Sequence, residues 1–206
     1  MSSSPAHPLS TTSILEAAKA QVRRFGETKT NMVDIGRALG VSHAALYRLF
    51  RSKSAIMDAI VDEAMRDEEA LAVAHIEADG PAAERLLAML LNLHRRKRER
   101  FVGDREIHDL YRRILAERPD MIAAYAERMT TLIARLIAQA VERGEWKVDD
   151  IDIASGVVRD AVTVYIHPAF VAQLIVADAP IETMLGATVA TLSRAFRAGM
   201  DYRPPA

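Results

Sequence analysis

The residues best suited to chemistry lie between Asn31 and Lys53. In Leu39-Gly40-Val41-Ser42, the glycine allows the left-handed backbone of a sharp turn, and the serine can cap a following helix. His43, Ala44 and Ala45 then open that helix. Small side chains there let the backbone approach the edges of bases closely. Tyr47 and Arg48 follow one turn later, and Lys53 starts the next helix. A phenol, a guanidinium and an ammonium near a helix N-terminus are donors suited to phosphates. Asn31 and Ser42 are assigned phosphate contacts as well. His43 is expected on the surface, where it either reads a base or faces solvent.

Short capped helices must position this set. Ile14, Ala18, Val22 and Phe25 share one helix face, with caps available at Ser10–Ser13 and a stop at Gly26. Asn31 and Asp34 open a second helix through Ile35, Ala38 and Leu39. Ser42 caps a third, carrying Leu46, Leu49 and Phe50. Ser52 caps a fourth, with Ile56, Met57, Ile60 and Ala64. Two short helices joined by a glycine turn follow helix-turn-helix logic: the first braces the second, which enters the major groove.

Charge agrees with a polyanion contact at one end. The 206-residue chain has 27 basic and 28 acidic side chains, yet residues 10–57 hold eight basic and three acidic ones. The remainder is correspondingly acidic.

The segment Ile35-Gly36-Arg37-Ala38-Leu39-Gly40-Val41-Ser42-His43-Ala44-Ala45-Leu46-Tyr47-Arg48-Leu49-Phe50-Arg51-Ser52-Lys53 resembles the DNA-binding signature of TetR-family transcriptional regulators. The likeness covers about residues 12–62. Gly36 departs from the family's usual Ala, Asn31 from Thr or Ser, and Ser54 from an acidic residue. A mid-helix glycine costs roughly 1 kcal/mol unless close packing against the recognition helix favours it. Residues 1–10, rich in Ser and Pro, read as a flexible tail, and the resemblance implies a DNA-binding domain at 11–64 and a ligand-sensing and dimerising helical domain at 65–206. It also implies a homodimeric repressor in the cytoplasm, binding double-stranded DNA at a palindromic operator and released by a small-molecule effector. An effector-independent DNA-binding or architectural protein is the alternative.

The remainder reads as helical too, for an all-α fold of about nine helices. Asp79-Gly80-Pro81 stops one helix and starts another, and residues 121–141 keep a helical period for about six turns. Asp149 is taken as a cap, and Pro168 ends the helix before it. Residues 161–177 and 183–193 carry no charged side chain. Helices apolar on all sides need burial on all sides, so those near 150–166 and 180–197 are the expected two-fold interface. Met89, His94, Phe101, Tyr111, Tyr125, Met129, Arg159 and Tyr165 are the effector-site candidates, since Met with polar aromatics suits an adaptable apolar site. Any one of them can instead be core, and His94 on a Leu-rich face reads as a satisfied core histidine. The run His94-Arg95-Arg96-Lys97-Arg98-Glu99-Arg100 reads as a solvated helix end.

Other classes lose support. There is no Cys, so no disulfide, thiolate metal site or Cys nucleophile is available. No Gly-rich phosphate loop, Gly-x-Ser-x-Gly or His-Glu-x-x-His occurs, and Asp149/Asp150 are explained by capping. No enzyme, cofactor or metal site is expected, and no membrane span or leader is visible.

Overall fold

The computed structural model describes residues 9–202, so most of the expected tail lies outside the described residues. Among them are ten helices: α1 (Thr11–Phe25), α2 (Met32–Ala38), α3 (His43–Tyr47), α4 (Lys53–Glu77), α5 (Ala82–Gly103), α6 (Arg105–Glu117), α7 (Pro119–Glu142), α8 (Ile151–Ile166), α9 (Pro168–Val176) and α10 (Ile181–Ala198). The all-α reading holds, with one helix more than expected. The addition is α9: Pro168 ends α8 and sits in the first turn of a new helix, which the His167 side chain caps.

The chain divides into two compact units. The first runs to Ala64 and includes Asp104–Glu117; the second comprises Met65–Gly103 and the residues from Arg118 onward. The sequence placed α6 with residues 65–206, but it groups with the N-terminal helices. Its stripe of Ile107, Leu110, Tyr111 and Ile114 is buried. Arg113 forms a bidentate pair with Glu27 at 2.6 Å, and Arg23 Nε reaches Asp104 at 2.7 Å.

In the first unit, caps fall where the sequence puts them. Ser10 and Ser13 form a reciprocal capping box on α1. Asn31, Ser42 and Ser52 accept the amides of Asp34, Ala45 and Ala55. In the second unit Asp150, not Asp149, caps α8; the Asp149 carboxylate instead accepts the Tyr202 amide.

The second unit packs α5, α7, α8 and α10 with the latter part of α4 around one apolar core that includes Leu86, Leu90, Ile133, Leu136, Trp146, Val158 and Leu185. Two core stripes carry charges. On α4 the buried positions Val61, Met65, Ala72 and Ile76 share their spacing with Glu68; on α5, Leu86, Leu90 and Leu93 share theirs with Lys97. Glu68 and Lys97 form an ion pair with both side chains buried. The expectation of a solvated helix end therefore fails at Lys97, because the α5 stripe extends a turn further than its leucines. Arg85, also buried, donates to the Ile76 carbonyl at 2.6 Å and to Gln139 Oε1 at 2.9 Å, satisfying one of the carbonyls that the end of α4 leaves open. Among the described residues no helix is long and apolar enough to cross a membrane.

Candidate nucleic-acid interface

The turn between α2 and α3 follows from two glycines. Gly40 has φ +68°, the left-handed backbone expected of it. Gly36 faces α3: a Cβ placed there would lie 3.0 Å from the Val41 carbonyl oxygen and 3.3 Å from the His43 amide. The Val41 amide in turn donates to the Gly36 carbonyl at 2.9 Å. The missing methyl leaves room for the turn to close onto α2; an alanine here requires the Val41 carbonyl or the His43 amide to give by a few tenths of an ångström.

This turn presents α3 outward. His43, Ala44, Tyr47 and Arg48 are exposed, Ala45 is half-buried, and Leu46 is buried as the anchor. The His43 and Tyr47 rings meet edge to face, with centroids 6.1 Å apart. The regular helix stops at Tyr47, and the chain turns through amides of Leu49 and Phe50 that both bond the Leu46 carbonyl. Phe50 is buried, which holds the turn down.

Asn31 is exposed at the head of α2. Its Nδ2 donates to Asp34, which also pairs with Arg37 at 2.8 Å. Lys53 is half-buried, and its ammonium donates to the Glu27 carbonyl at 2.6 Å. That bond fixes the side chain and leaves the ammonium two further N–H groups to donate. Glu27 is itself held by Arg113, so α6 braces the loop that carries this contact.

Sequence reasoning left out Lys29 and Arg51. Both are exposed and, like Arg48, have no carboxylate partner among the described residues, whereas Lys19, Arg23 and Arg37 are neutralised by Glu63, Asp104 and Asp34. The unit's positive surplus thus rests largely on cations free to meet an anion. Its local charge surplus was the available signal.

The effector-site candidates do not gather into one site. Met89, Met129 and Tyr165 belong to the core of the second unit, with Tyr125 packed against it. His94 Nδ1 donates to the Tyr165 carbonyl at 2.8 Å, as a core histidine would. Tyr125 donates to the buried Glu68 at 2.6 Å. Phe101 is half-buried toward the end of α5. Tyr111 belongs to the other unit, carried there by α6. Arg159 is partly exposed, paired with Asp160, and lines an open groove between α7 and α8. Glu68 and Lys97 were missed because their charge argued for surface; the signal lay in their register with apolar neighbours.

Comparison with known proteins bears on both units. Residues 14–60 match the model of bacterial regulatory proteins, tetR family, and residues 82–187 match that of the tetracyclin repressor-like C-terminal domain. No curated protein matches the chain. Solved structures do. SmeT, the repressor of the Stenotrophomonas maltophilia multidrug efflux pump SmeDEF, is 18% identical with TM-score 0.63, over 92% of this chain and 91% of its own. Salmonella enterica GusR is 22% identical with TM-score 0.63, over 93% and 99%. FadR from Bacillus subtilis, in complex with stearoyl-CoA, is 16% identical with TM-score 0.59, over 89% and 98%. At these identities the structures establish a shared fold.

Proposed function

The chain belongs to the tetR family of bacterial regulatory proteins, and from that premise we propose that it is a homodimeric repressor released from a palindromic operator by a small-molecule effector. The observation that carries DNA binding is the presentation of α3. Its outer face is exposed and free of carboxylates, it is anchored by Leu46, and Arg48, Arg51 and Lys29 lie unpaired in the same unit. His43, Ala44 and Ala45 read base edges. Asn31, Ser42, Tyr47, Arg48 and Lys53 hold phosphates.

Dimerisation draws its support from α8 and α10. Ile153, Val157 and Val164 on α8 and Met184 on α10 are 38–45% exposed, on helices otherwise packed into the core. Burying such an apolar face against a second copy, near residues 150–166 and 180–197, is favourable. Two recognition helices then reach half-sites roughly 34–36 Å apart or a multiple of that. The effector occupies the helical domain at 65–206 and favours the conformation that fits DNA less well. FadR's stearoyl-CoA shows that one protein of this fold holds an amphipathic ligand. A regulator of bacterial genes works in the cytoplasm.

The test is selection of bound duplexes from genomic fragments, followed by footprinting. The reading expects a protected inverted repeat whose occupancy falls when a ligand that raises thermal stability is added. Indifference to every duplex at both low and moderate salt overturns it. DNA binding with no releasing ligand favours the architectural alternative.

A further inference from the structure

Two outer surfaces of the second unit complement each other in charge. The first is the open groove of about 420 Å³ between α7 and α8. Ala126, Thr130 and Ala134 line its α7 side and Ser155 its α8 side, short side chains that let another helix approach closely. Glu127 on α7 and Asp152 on α8 are exposed on the two walls, and neither has a cation partner among the described residues. The one cation of the lining, Arg159, is engaged by Asp160 at 2.8 Å. The groove is therefore acidic. It adjoins the apolar face of α8, since Asp152 directly precedes the exposed Ile153.

The second surface is the outer face of α10. Thr183, Ala187, Thr191 and Arg194 follow one another at helical spacing and are all exposed, so three uncharged positions lead to a cation. Arg197, one turn further on, is exposed as well. Neither arginine has a carboxylate partner among the described residues; Glu84 of α5 lines a groove with both and pairs with neither. Within one chain the two surfaces cannot meet. Leu185, Val189 and Phe196 hold the inner face of α10 in the core and turn its outer face to solvent.

A second copy removes that obstacle, and two-fold symmetry makes the contact twice. We propose that the outer face of α10 from a second copy of this chain seats in the α7–α8 groove, with its Arg194 and Arg197 toward Glu127 and Asp152. The inference rests on the homodimer reading above and deepens it by naming what fixes the register. Each chain carries both halves of the match, so the contact engages the acidic and the basic set of both chains at once. Charges placed this way decide which partner and which register are accepted more than they add affinity.

Charge reversal tests the contact by sedimentation of two full-length variants. The first is Glu127→Lys with Asp152→Lys, the second Arg194→Glu with Arg197→Glu. Each alone sets like charges against each other twice and should weaken self-association at least about tenfold. Mixed in equal amounts, the basic groove of the first meets the acidic helix of the second, and the acidic groove of the second meets the basic helix of the first. Association should then return toward that of the unaltered protein, a rescue that a misfolded variant cannot give. The milder Arg194→Gln with Arg197→Gln, at exposed positions, should weaken association several-fold, and less so at high salt. Reversal or neutral variants that associate as tightly as the unaltered protein overturn the contact, as does a mixture that stays single. An unaltered protein that is itself a single chain overturns the homodimer reading instead.

Discussion

Lys97 and Glu68 form an ion pair inside the second unit, with side chains only 6% and 4% exposed. Tyr125 donates to the same carboxylate at 2.6 Å, and Arg100 Nη2 stands 3.6 Å from its other oxygen. Neither α4 nor α5 gains by burying a charge alone; each tolerates it because the other supplies the partner. Removing one member leaves the other uncompensated, at about 3–5 kcal/mol. Glu68→Gln should therefore lower unfolding stability by that amount in urea titration. Glu68→Gln combined with Lys97→Met should recover most of the loss. A double variant no better than the single one would show that the pair is not what the single change disrupts.

The same pair sets an acid limit. Burial pushes the Glu68 carboxyl up, but Lys97, the Tyr125 hydroxyl and Arg100 together outweigh it and hold the group below its ordinary 4.5. A carboxyl lowered on folding contributes stability that is complete above its unfolded value and is lost as pH falls through the folded one. Unfolding free energy measured from pH 7 down to pH 3 should thus fall less steeply in the Glu68→Gln, Lys97→Met variant than in the unaltered protein. Parallel curves would assign acid sensitivity to other carboxylates.

Gly36→Ala tests the turn. Helix propensity alone favours alanine by roughly 1 kcal/mol. Against it, the new methyl meets the Val41 carbonyl at 3.0 Å and the His43 amide at 3.3 Å, both backbone atoms with little room to yield. Overpacking of this kind costs about 1–3 kcal/mol. The expected result is a net loss of about 1 kcal/mol in stability, with weaker DNA binding because α3 is pushed from α2. A stabilised variant would mean the turn relaxes freely.

Legibility in the sequence followed how local the cause was. The caps at Ser10, Asn31, Ser42 and Ser52 and the turn at Gly40 are set by neighbours three or four residues away, and all were readable. Pro168 marked a helix end; that the chain restarts there as α9 rests on the His167 cap, a smaller signal. What failed was non-local. The grouping of α6 depends on Arg113 finding Glu27, 86 residues earlier. Lys97 read as surface within its basic run, and only Glu68, 29 residues away, makes its burial tolerable. The Asp149/Asp150 choice turned on the Tyr202 amide, 53 residues beyond Asp149.

Lys53→Met probes the phosphate role. The side chain's bond to the Glu27 carbonyl goes as well, so some stability is lost with it, and DNA binding must be compared well below the unfolding transition. Affinity should fall similarly for operator and random duplex. The slope of log affinity against log salt should flatten by about 0.9 for each phosphate no longer neutralised, hence by about two units for a dimer. A change in base preference with an unaltered slope would place Lys53 at a base edge.

Val157→Glu separates dimerisation from folding. Val157 is 38% exposed on α8, so a carboxylate there remains hydrated in the single chain and should leave thermal unfolding of the helical unit little changed. Across a two-fold interface the same residue faces its own symmetry mate or a close neighbour, and two buried like charges oppose association. Sedimentation should show a single chain for the variant and, on the proposed two-fold assembly, a dimer for the unaltered protein. Operator affinity should then collapse toward that of one recognition helix, because the second half-site is no longer held on the same body. Retained dimerisation in this variant, with full operator binding, would place the interface elsewhere than the exposed face of Ile153, Val157 and Val164.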